Sequence, residues 1–253
     1  MSTKDKPDAA PEAFVKQLSM PKSPVEQAID ALKNEGEERV LLIGNTLCIF
    51  AENVPASVAE DVAASMRLIG LSSEKAFDKE TQQREWYNHY THGLAKLGWT
   101  MTGAAHAEEA MDQEKSTLAE VAISIISRDL GAKHRMARCL GRSFQAMTHA
   151  PAAQRLFERS TISTTGKSST FQAVDCEMSP QGLPIMHMKS FQIAYDRAVS
   201  TGDAITREFE KSSTRVYRAS QQGTFSIRQF QILRDAVTRK LASQADDILD
   251  LSI

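Results

Sequence analysis

The sequence predicts an α+β fold: a helical N-terminal half, an antiparallel β-meander in the C-terminal half, and a closing C-terminal helix packed on the sheet. Three observations predict it. Between about residues 53 and 147, apolar residues recur at helical spacing between caps. From about Ser160 the texture changes to short alternating segments rich in Thr, Val, Ile and aromatics. After Ser226 the helical period returns, and helices, then a sheet, then one helix to cover it is an α+β order.

The elements follow in turn. Residues 1–23 are rich in Pro, Lys, Asp and Ser and read as a mobile leader, with a single α+β domain over 24–253. "SPVEQAIDALKNEG" fits a short helix, with Ser23 as cap, Pro24 in the first turn and Gly36 past the end. The run Arg39 to Phe50 fits a buried strand or a short buried helix, which periodicity does not separate. A helix is expected from Asn53 to Gly70, with Val58, Val62, Met66 and Ile69 as its stripe. A second runs from Asp78 to Gly98 and stacks Trp86, Tyr90, Leu94 and Leu97. A third opens on the capping box Thr117–Glu120 and closes at Gly131. Further helices are expected over Lys133 to about Met147 and in "AAQRLFER". The meander strands are expected in "STISTTGKSSTFQAVDCEM", "PIMHMKSFQIAY", "DAITREFEKS" and "STRVYRASQQ". The closing helix has Ser226 and Gln229 as capping box and an apolar stripe from Ile227 to Ile248.

The bulk numbers exclude more than they identify. The chain is 42% hydrophobic and 25% charged with a formal charge of −2, so it has no general attraction to nucleic acid. The basic run Lys133, Arg135, Arg138 and Arg142 reads as the wet face of a helix. Three cysteines (Cys48, Cys139, Cys176) close no disulfide framework and show no metal spacing, so no metal is expected. The N-terminus has no basic start followed by an apolar stretch, which predicts synthesis in the cytoplasm without a secretory signal. The longest apolar run, Val40 to Ala51, is about half of what spans a bilayer.

Most motifs fail on inspection. "TTGKSS" lacks the first glycine of a phosphate loop and precedes a strand, not a helix. His89 and His92 share a helix face but have no acidic partner at matching spacing. The hairpin around Cys176 remains. "SPQGL" suits a type I turn, with Pro180 at its second position and Gly182 in the left-handed bulge. That turn sets Cys176 opposite Met186, Val174 opposite Met188 and Asp175 opposite His187. One face then carries Val174, Cys176, Met178, Met186 and Met188, and the other Asp175, Glu177, Ile185, His187 and Lys189. A Cys–His pair needs both groups on one face. A slip of one residue would bring Cys176 opposite His187, which keeps a Cys176–His187–Asp175 catalytic reading open beside a core cysteine and an attachment point.

The stretch "ENVPASVAEDVAASMRLIGLSSEKAFDKETQQREWYNHYTHGLAKLGWTM" carries Asn53, Val54, Asp61, Trp86, Tyr87, Tyr90, Gly98 and Trp99 in the pattern of a bacterial family. "FEKSSTRVYRASQQGTFS" and the last residues match that family's ending, so about residues 50 to 253 are covered. The chain resembles the Erwinia virulence factor (Evf)-like family of insect-gut persistence proteins. The resemblance implies an α/β protein of unusual topology, with a palmitate-like fatty acid held as a thioester on one cysteine and association with anionic membranes. The modified cysteine of the family lies in its C-terminal third, so the resemblance implies Cys176, with Trp86 or Trp99 as the membrane-contact residue. Acyl-CoA or an acyl carrier is the implied acyl source. Val174, Met178, Met186 and Met188 would line the chain's site, and methionine adapts well to such a partner. One acyl chain gives only marginal membrane binding, so an anchor would need a second signal such as the basic run. The enzymatic alternative is a fatty acyltransferase or thioesterase with a Cys176 nucleophile and His187 as base. A third is an interaction domain with Cys176 in its core.

Overall fold

A computed structural model describes residues 13–14, 38–200, 202, 204–242 and 248–251. Its order is β1 (Arg39–Ile43), β2 (Thr46–Phe50), α1 (Ala56–Ala76), α2 (Gln83–Lys96), β3 (Trp99–Glu109), β4 (Lys115–Ser116), α3 (Leu118–Leu130), α4 (Arg135–Thr148), α5 (Pro151–Thr161), β5 (Ser168–Met178), β6 (Pro184–Tyr195), β7 (Phe209–Glu210), β8 (Thr214–Phe225), α6 (Ile227–Leu241) and β9 (Ile248–Leu251). The fold is α+β, with a C-terminal helix following the strands. Seven strands form one mixed sheet in the order β3-β8-β6-β5-β2-β1-β9. The β5–β6–β8 core is the expected antiparallel meander, and β2 joins it in parallel beside β5.

Two apolar layers sandwich the sheet, and strand alternation assigns each side chain to one of them. Leu41, Cys48, Phe50, Val174, Cys176, Met186 and Met188 meet α1, α2 and α6 on one face. Val40, Leu42, Leu47, Ile49, Phe171, Ala173, Phe191 and Ile193 meet α3, α4 and α5 on the other. Both faces of the central strands are therefore dry, which is why Arg39–Phe50 shows no alternation in its sequence. It is neither one strand nor a helix but a hairpin turning at Gly44–Asn45.

Several boundaries differ from the expectations. The first helix begins after Pro55 and runs past Gly70 to Ala76, because Gly70 has open space around it and costs the helix only propensity. Asp78 does not open α2. Its carboxylate accepts from the Glu80 and Thr81 amides and the Thr81 hydroxyl, closing a turn ahead of Gln83. The Thr117–Glu120 box forms in both directions. "DAITREFEKS" supplies only the two-residue β7, paired with β4. The closing helix stops at Leu241, and Ile248 pairs with Ile43 in the edge strand β9. The leader and the helix expected in 23–36 lie outside the described residues.

Candidate functional site

The hairpin of β5 and β6 has the register its turn chemistry predicts. Ser179 N–H donates to the Leu183 carbonyl at 2.8 Å, and Gly182 N–H to the Ser179 carbonyl at 2.9 Å. Gly182 sits at φ 76°, a left-handed value that favours glycine. Cys176 lies opposite Met186, Val174 opposite Met188, and Asp175 opposite His187. Side chains alternate faces along a strand, so Cys176 and the half-buried His187 lie on opposite sides of the sheet. The one-residue slip that would unite them does not occur.

Cys176 is fully buried with Val174, Met186 and Met188, and Met178 packs at the edge of the same layer. A second thiol, Cys48, belongs to this layer and contacts Met66, with their sulfurs 4.0 Å apart. Two loop contacts hold the Cys176 end of β5. Ala51 N–H donates to the Cys176 carbonyl at 2.9 Å. The Asn53 side chain donates to the Met178 carbonyl at 3.0 Å and accepts its N–H at 3.2 Å. Asn53 is thus a strand-end clamp and not the cap of α1.

Burial pushes the Cys176 thiol up to about 12, with the neighbouring Asp175 carboxylate raising it further and Arg135 opposing. Burial likewise raises Cys48 well above the ordinary range, with Cys176 and Asp175 adding to the effect. Cys139 is pushed up to about 12 by burial and by Glu38, and it belongs to the other layer.

The opposite face of the hairpin is ionic. Asp175 is 2% exposed and accepts from Arg135 Nε at 2.7 Å, while Glu177 accepts from Arg135 Nη2 at 3.1 Å. Lys189 donates to Asp129 at 2.5 Å. Arg135 is therefore a bridge from the first turn of α4 to β5, and Arg138 pairs with Glu38 at 3.0 Å, so two members of the basic run are already engaged.

The two tryptophans are both interior. Trp99 is 2% exposed and donates its indole N–H to Ser65 Oγ at 3.0 Å. Trp86 is 3% exposed and stacks on Tyr90, with ring centroids 5.2 Å apart. Neither indole lies at the surface, where membrane contact would require it. His89 Nδ1 and the Ser73 hydroxyl are 3.0 Å apart, and among the described residues no three metal-capable side chains cluster. No helix among the described residues is long and apolar enough to cross a membrane.

Two cavities, of about 440 and 460 Å³, flank α2, and Trp86 lines both. Cys176 lines neither. Helical spacing had marked Trp86 and Tyr90 only as core residues; their position at the first cavity depends on β1, β2 and α5, which are far away in sequence.

No protein-family model matches the chain, and no curated protein matches its sequence. Among solved structures it is similar to that of the Evf virulence factor at 12% identity and a TM-score of 0.35, over 93% of this chain and 90% of that one. It is also similar to a delta-endotoxin at 11% identity and a TM-score of 0.40, over 83% of this chain and 85% of that one. Both likenesses are weak and leave the site to be argued from its own geometry.

Proposed function

We propose that the chain is an Evf-like host-interaction protein that carries a long-chain fatty acyl group as a thioester on Cys176. The sequence resemblance over Asn53 to Trp99 supplies the acyl chemistry and the virulence role; the geometry bears on how the thiol would be used. The observation that carries the reading is the burial of Cys176 among Val174, Met186 and Met188, with its thiol pushed up to about 12. A thioester in such a layer is shielded from water and hydroxide, and its chain gains about 0.8 kcal/mol for each CH₂ taken out of water.

The same features favour a stored or structural acyl group over a turnover intermediate. A nucleophile that cycles needs a ready thiolate and a base within reach. Here the thiol resists ionisation, and His187 lies across the sheet. Loading from an acyl-CoA would form the Cys176 sulfur–carbonyl bond, break the CoA thioester and release CoA as its thiol. That step requires the layer over Cys176 to open.

Intact-mass measurement of protein from its native host tests the proposal. The expected result is one added fatty acyl group, released by hydroxylamine and absent from Cys176→Ala. An unmodified mass overturns it. Turnover of acyl-CoA onto a small nucleophile, lost in His187→Ala, would instead establish the acyltransferase. Binding to vesicles containing anionic lipid, compared before and after hydroxylamine, separates an anchor from a sequestered chain.

A further inference from the structure

The 460 Å³ cavity lies between the start of α2 and the sheet, over β5, β6 and β8, and its size is ordinary for a small-molecule site. Its floor departs from the layer around it. On the face that carries Cys176, β5 and β6 meet in successive cross-strand pairs: Cys176–Met186, Val174–Met188, Gln172–Ser190 and Thr170–Gln192. The first two pairs are apolar and packed, and the last two are polar. Thr170, Gln172 and Gln192 are nonetheless buried. Tyr217 of β8 continues the outer polar row, opposite Gln192. The two polar rows lie about 7 Å apart along the strands, and paired side chains within a row about 5 Å apart.

Polar side chains buried on central strands cost stability unless they are bonded, and this floor is bonded only in part. Gln172 is fixed at both ends: its Oε1 accepts the Thr46 hydroxyl at 3.2 Å, and its Nε2 donates to Ser190 Oγ at 3.1 Å. Ser190 Oγ, having accepted, keeps its own hydrogen to give. The Thr170 hydroxyl has no hydrogen bond among the described residues and is not one of the sealed buried atoms, so it is open to the cavity. Trp86 and Tyr87 wall the helix side and Tyr217 the sheet side; Trp86 contributes its ring alone, because its N–H is sealed. The charged lining residues, Arg84 and Glu108, are exposed and opposite in sign. A charged ligand would therefore meet neutral groups inside, at a desolvation cost.

We infer that this cavity binds an uncharged planar aromatic molecule with an amide-like edge, a hydrogen-bond donor beside an acceptor, set against Thr170 and Ser190. Thr170 and Ser190 are diagonal neighbours on one face, with side chains about 7 Å apart. That is too far for one ligand atom to bond both at about 2.9 Å, and it suits two adjoining atoms. The Thr170 hydroxyl accepts the ligand's N–H, and the Ser190 hydroxyl donates to its carbonyl oxygen. Aromatic walls favour a flat ring. Cys176 stands four residues along β5, about 13 Å away, and does not line the cavity, so the site is independent of the acyl reading.

Calorimetric titration of the full chain with nicotinamide tests this, since that probe is neutral, planar and carries a carboxamide. Saturable binding is expected. 3-Acetylpyridine, which has a methyl group in place of the amide nitrogen, and nicotinate, which adds a charge, should each bind about ten-fold more weakly. Thr170→Val keeps the shape of the floor, removes the hydroxyl and should weaken nicotinamide several-fold. Ala219→Leu fills the cavity from β8 and should abolish binding. Both residues line this cavity and not the one beside the β1–β2 turn, so the two variants also locate the site. No saturable binding of nicotinamide overturns the inference. Equal or tighter binding of 3-acetylpyridine or nicotinate, or unchanged affinity in either folded variant, overturns it as well.

Discussion

Arg135 Nε donates to the buried Asp175 carboxylate at 2.7 Å, tying the first turn of α4 to the residue immediately before Cys176. Breaking a buried pair from one side leaves an uncompensated charge. Arg135→Ala is expected to lower stability by about 3 kcal/mol. Glu177→Ala, which removes the more exposed arm of the same guanidinium contact, should cost less than about 1 kcal/mol. Urea denaturation of both variants checks the order. Equal losses would show that the exposed Glu177 contact, and not the buried Asp175 pair, carries the bridge.

The thiol makes stability depend on alkaline pH. In the folded chain Cys176 ionises at about 12, against an ordinary 9.0 once unfolded. Its folded value is raised, so the stabilisation is complete below pH 9 and is lost as the pH rises toward 12. The unfolded state releases its proton first over that window, so stability falls as the pH rises. The full effect is on the order of 4 kcal/mol, at 1.36 kcal/mol for each pH unit of separation. Cys48 and Cys139 are raised in the same direction. Urea midpoints at pH 8 and pH 10.5 should therefore separate in the wild type and separate less in Cys176→Ala. An identical drop in that variant would mean that Cys176 ionises in the folded state as freely as in the unfolded one.

Local chemistry was the legible part of this fold. The turn "SPQGL", with alternation on either side, fixes the β5–β6 register and so puts Cys176 and His187 on opposite faces. The Thr117–Glu120 box marks its helix start for the same reason: both partners lie within one turn. β3 is different. "WTMTGAAHAEE" has little strand propensity, and its strand depends on pairing with β8 more than 100 residues later. β9 pairs with β1 across about two hundred residues, so its Ile248 fits a helical stripe equally well by period alone. The role of Arg135 was hidden likewise. A charge on a helix looks solvated until the strand that buries its partner is known.

Trp99 and Ser65 form a second measurable pair. The indole N–H donates to Ser65 Oγ, and that hydroxyl donates to the Val62 carbonyl at 2.7 Å inside α1. Ser65→Ala leaves a buried indole donor without a partner, at about 1–3 kcal/mol. Thermal or urea unfolding should show the deficit, and the Trp99 indole resonance should move upfield as its acceptor disappears. A shift at Trp86 instead would mean that the two indoles are coupled through α1.

Tyr90 is expected to behave in the opposite way. It is 2% exposed, its hydroxyl has no partner, and burial pushes its pKa well above the ordinary phenol range. A buried hydroxyl without a partner pays a desolvation penalty of about 1–3 kcal/mol with nothing to offset it. Tyr90→Phe keeps the ring and its stacking on Trp86 while removing that penalty, so the variant should be more stable than the wild type by about 1 kcal/mol. Urea unfolding curves of both proteins measure the difference. A variant less stable than the wild type would show that the hydroxyl is already satisfied in the folded chain.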